Sequence, residues 1–69
     1  MTPEEIGKRF TYHAPKEGQP EKYGKLRAYA REFAEEIAQL TPASREQSLA
    51  ITALEECVFW ANAAIARNE

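Results

Sequence analysis

The sequence predicts an all-α fold: a short N-terminal helix, a loop, then an antiparallel hairpin of two long helices, assembled as a homo-oligomer. Three observations carry this. Apolar residues recur at alternating spacings of 3 and 4 along two long stretches, as on a helix with one packed stripe. The prolines stand at positions 3, 15, 20 and 42, at helix starts or between helices, and interrupt neither stretch. The last stretch is apolar around most of its circumference, more than one partner helix can cover.

The first helix opens at Thr2-Pro3-Glu4-Glu5, where Thr2 caps, Pro3 takes the first helical position and Glu5 completes a capping box. It is short, because Gly7 weakens it and Thr11-Tyr12-His13 continues it poorly. Thr11 to Gln19, with Pro15 and Gly18, reads as an extended loop. The second helix is expected from about Pro20 to Leu40, with Tyr23, Leu26, Ala30, Phe33, Ile37 and Leu40 as its packed stripe. Thr41-Pro42-Ala43-Ser44 is a break, and Ser44 is a strong N-cap with Gln47 as its box partner. The third helix is expected from Ala43 or Ser44 to Arg67, with Ile51, Leu54, Val58, Ala61 and Ile65 facing the second. Leu49, Cys57, Phe59, Trp60 and several alanines lie outside that stripe, so other subunits are expected to cover them.

Composition bounds the function. A chain of 69 residues allows one domain, residues 1–69, with a thin core. The single cysteine, Cys57, excludes an intrachain disulfide framework and reads as a small core residue. There is no aspartate and one histidine, His13, which removes aspartate dyads and nearly every metal constellation. Three glycines leave no glycine-rich phosphate loop. The expectation is a non-enzyme with no cofactor and no metal. There is no uninterrupted apolar run of 18 residues, and Met1 to Phe10 does not read as a signal peptide. A cytosolic protein without a membrane partner is therefore expected.

Charge is unevenly placed. Residues 1–31 carry seven cations against four glutamates, and residues 32–69 carry two cations against seven. The basic half attracts an anion, while the acidic half repels a long polyanion such as duplex DNA. A small anionic ligand fits this asymmetry better than a nucleic-acid polymer; a merely solvated surface is the plainer alternative.

Arg9-Phe10-Thr11-Tyr12-His13-Ala14-Pro15 is the informative segment. Flat rings in a basic loop suit stacking on nucleobases. The alternative is that they close the end of the hairpin, and Phe10 is expected to pack there. On the second helix, Lys22, Lys25 and Tyr29 share one flank, while Arg27 and Arg31 lie on the other. Arg31 has Glu35 four residues on as a partner. Arg27, beside the packed stripe, wants an acidic or phosphate partner. Arg67 either complements the last turn of the third helix or, if that helix packs about a symmetry axis, joins a cationic ring.

These residues resemble the small phage proteins that inhibit CBASS immunity by sequestering cyclic oligonucleotide signals. The resemblance is carried by residues 9–15, by Tyr23 with Leu26-Arg27, and most specifically by the run from Pro42 to Asn68. It implies a helical homohexamer, not an enzyme, in the cytoplasm of the infected bacterial host. It implies cyclic dinucleotides held between paired protomers, with Tyr12 on a base and Arg27 or Lys25 on a phosphate; from the loop itself, Phe10 and His13 are further candidates for that site. It further implies a separate threefold site for cyclic trinucleotides at Arg67, with Tyr29 near a departure from the family pattern. Two rivals from other classes are an oligomeric adaptor that binds a host protein through its acidic face, and a phosphodiesterase.

Overall fold

The computed structural model describes residues 1–69 as three α-helices and no strand: α1, Pro3–Phe10; α2, Gln19–Leu40; and α3, Arg45–Asn68. Each start has a local cause. The Thr2 side chain accepts from the Glu5 N–H at 3.2 Å, and the Glu5 carboxylate accepts in return from the Thr2 N–H, so the expected capping box forms. Gly18 holds φ +84° ahead of α2, a left-handed turn that a side chain would strain. Ser44 caps α3 by accepting from the Gln47 N–H at 3.1 Å.

The Gln47 side chain does not complete that second box. It turns back and donates to the Thr41 carbonyl at 3.0 Å and the Thr41 hydroxyl at 3.1 Å. Thr41 itself donates its hydroxyl to the Ile37 carbonyl at 2.6 Å. These bonds close the α2–α3 turn and give partners to carbonyls at the end of α2.

In α3 the whole expected stripe, Ile51, Leu54, Val58, Ala61 and Ile65, is half-buried. In α2 the half-buried side is Tyr23, Leu26, Ala30, Ala34 and Ile37. Phe33 and Leu40, expected in that stripe, are exposed, with Leu40 overhanging the hairpin's end. The straight helix drifts from a strict heptad, so Ala34 replaces Phe33 at the contact. Cys57, expected as a core residue, is also exposed in the protomer.

The molecule measures 44 × 29 × 12 Å, and its thickness is that of a single helix. Its radius of gyration is 15.2 Å, against about 11 Å for a globule of this length. Its accessible surface is 5675 Å², roughly 1,300 Å² more than area scaling gives for this mass. No apolar residue is fully buried. The hairpin is a plate with two uncovered faces. At about 100° per residue, Arg27, Arg31, Glu55 and Phe59 project to one face, and Tyr29, Phe33, Cys57 and Trp60 to the other.

By length and composition alone α3 could cross a membrane, contrary to the expectation from uninterrupted apolar runs. The difference is one of averaging. Alanines on the outer positions keep the mean apolar even though Glu55 and Glu56 interrupt the run, and two carboxylates near mid-helix are costly in hydrocarbon.

Candidate functional site

α1 and its loop form an arm that reaches the plate through polar contacts. Gln19, the single buried residue at 2% exposure, is the hub. Its Oε1 accepts from the Lys16 N–H at 2.9 Å, and its amide donates to the Ile65 carbonyl at 3.4 Å. Lys8 donates to Asn68 Oδ1 at 2.6 Å, and Lys16 donates to the Glu69 carbonyl. Lys22 pairs with the Glu69 carboxylate at 2.7 Å, a bond that holds the Glu69 pKa below its ordinary value despite slight desolvation. Sequence patterning missed Gln19, because a lone glutamine before a proline carries no periodic signal.

The arm presents its aromatics outward. Tyr12 is 83% exposed and Phe10 is 84% exposed. The expectation that Phe10 packs at the hairpin end is therefore corrected. Phe10 is the last residue of α1, not a loop residue, and that turn is held by Lys8 and by the Arg9 carbonyl instead. His13 is half-buried and, as its Nε2–H tautomer, donates to the Lys8 carbonyl at 2.9 Å, which braces the loop beneath Tyr12.

The cations divide into occupied and idle. Arg31 pairs with Glu35 at 3.1 Å, as its spacing predicts, and Lys22 with Glu69. Arg27 and Lys25 have no ion-pair partner. Arg27 lines a groove of about 460 Å³ between α2 and α3, with Ala30, Ala34, Leu54, Val58 and Phe59 as its apolar wall. Tyr12 is not part of that groove. Lys25, two residues from Arg27, points to the other flank.

Arg67 is half-buried and donates to the Arg9 carbonyl at 3.4 Å. It lines a polar recess of about 260 Å³ with Glu5, Lys8, Arg9 and Asn68. Tyr29 lines a different, acidic recess with Glu32, Phe33, Glu35 and Glu36, so one protomer does not bring Tyr29 and Arg67 into one site. No three His, Cys, Asp or Glu side chains gather as metal ligands.

With exposed rings on an arm and cations without ion-pair partners on α2, the chain belongs to the class of one-layer helical hairpins. The profile of the Acb2/Tad1 hairpin domain matches residues 2–66, and the chain belongs to that family, the anti-CBASS sponges whose pattern its residues resemble. No curated protein and no solved structure matches the chain.

Proposed function

We propose that this protein binds and sequesters cyclic dinucleotide second messengers, without cleaving them, and so blocks CBASS immunity in the cytoplasm of an infected bacterium. The match to the Acb2/Tad1 hairpin domain over residues 2–66 carries this reading. The geometry supports it. Tyr12 offers a free ring for base stacking, and Arg27 an uncommitted guanidinium for phosphate. Tyr12 stands outside Arg27's groove within one protomer, which suits a ligand shared between two protomers. A two-fold interface then presents matched rings and matched cations to a nearly two-fold ligand. Lys25, Phe10 and His13 are the remaining contact candidates, and a cyclic trinucleotide would take a separate place at Arg67.

Assembly is part of the same proposal. The plate exposes Phe59, Trp60, Phe33 and Tyr29, and its surplus surface of roughly 1,300 Å² exceeds the about 800 Å² per partner of a standard interface. Both faces need covering, which a closed hexamer does and a single two-fold dimer does not.

Incubation with a cyclic dinucleotide, heating to denature the protein, and chromatography of the released nucleotide test the reading. Sequestration returns the intact cyclic ligand. Linear product identifies a phosphodiesterase, and no captured nucleotide at all identifies an adaptor; either result overturns the proposal.

A further inference from the structure

Asn62 Oδ1 is the one buried side-chain polar atom left without a hydrogen-bond partner. An unpaired buried acceptor bears its desolvation uncompensated, and water does not reach this one. Asn62 lines two grooves at the α2–α3 seam. One is the groove of about 460 Å³ described above; the other, of about 370 Å³, is formed with Tyr23, Ala63 and Ala66. Arg27 is the one other residue that lines both. Arg27 on α2 and Asn62 on α3 therefore border the same stretch of the seam.

Arg27 brings five N–H donors and no acid to take them. Its Nη2 folds over its own helix, 3.8 Å from where a Cβ on Gly24 would stand. A donor fork without a partner and an acceptor without a partner thus line the same two grooves. We infer that Asn62 is a positioning residue for Arg27: the guanidinium, which does not bond Oδ1 in this structure, turns from Gly24 to donate to it, and that bond fixes which edge of the group faces the groove. This rests on the reading that Arg27 meets a ligand phosphate. The chemistry suits that task. One edge of the fork binds the amide while the other stays free for two phosphate oxygens. A neutral amide orients the guanidinium without cancelling its charge, whereas Glu55, on the same groove wall, would cancel it. Lys25 has no comparable brace, since it projects from the opposite flank.

Nitrogen-15 NMR of the ligand-free protein tests the contact without any ligand. Arg27 side-chain N–H signals protected from exchange in the wild type, and lost in Asn62→Ala, are the expected result. Asn62→Leu, close in shape and lacking the acceptor, replaces the alanine variant if that one does not fold. Calorimetry with 3′,3′-cyclic GMP–AMP tests the consequence. Arg27→Ala should weaken binding about 10-fold or more, Asn62→Ala about 2- to 10-fold, and the double variant no further than Arg27→Ala alone. Unchanged Arg27 signals in Asn62→Ala, or losses that add in the double variant, overturn the inference. Unchanged affinity in Arg27→Ala overturns the phosphate reading instead, and the NMR result still decides whether Asn62 holds Arg27.

Discussion

An aromatic ring more than four-fifths exposed gains little from the protomer's own packing and keeps its face open to a ligand. Tyr12 and Phe10 are both in that position. Tyr12 extends from a loop braced by the His13–Lys8 bond, which holds the ring's base while leaving its face open. Tyr12→Ala is expected to weaken cyclic-dinucleotide binding by about 1–3 kcal/mol per stacked base, measured by calorimetry on a variant with an unchanged melting temperature. Equal affinity would remove Tyr12 from the site. Arg27→Ala is expected to cost roughly 1.5–3 kcal/mol at low salt and less as salt rises, because the proposed phosphate contact would be charge-assisted. Lys25→Ala, on the opposite flank, is expected to cost less than Arg27→Ala; the reverse order would move the phosphate contact to Lys25.

At the scale of elements, the arm and the hairpin are held by different forces. α2 and α3 meet along an apolar stripe, and that stripe was legible because helix packing repeats every three or four residues. Ser44, Thr2 and Pro42 marked the helix ends equally well, since capping is chemistry local to a few residues. The arm was not legible. Lys8–Asn68, Arg67–Arg9 and Gln19–Ile65 join residues more than 40 positions apart with no period to announce them. For the same reason Arg31–Glu35 could be read from spacing but the idle state of Arg27 could not. Phe33 and Phe10 were misplaced because apolarity shows what gains from burial, not which neighbour is there to bury it.

The Lys22–Glu69 pair, which joins the start of α2 to the end of α3, makes that end of the hairpin sensitive to pH. Glu69 has its folded-state pKa lowered, chiefly by the Lys22 hydrogen bond, so its contribution is present above the ordinary glutamate value. That contribution fades as pH falls through the lowered folded value. An NMR titration should therefore show Glu69 titrating below a free glutamate, and Lys22→Ala should return it upward. A Glu69 that titrates normally in the wild type would contradict the contact.

The whole molecule is a plate one helix thick with apolar side chains on both faces. Such a shape is stable when copies stack on it, and the alanines of α3 allow close approach. Trp60 is 63% exposed, with its indole N–H 3.4 Å from Glu56 at the helix surface. Trp60→Glu is expected to reduce the assembled mass seen by light scattering, because it places a charge in a face that the proposed assembly would cover. An oligomer unaffected by that change would put the subunit contacts elsewhere. Native mass spectrometry of the protein with an added cyclic dinucleotide reads assembly and sequestration at once. The expected species has six chains of 7.8 kDa each and carries nucleotide at the intact cyclic mass. A lone chain without nucleotide, or bound nucleotide heavier by one water per opened phosphodiester, would contradict it.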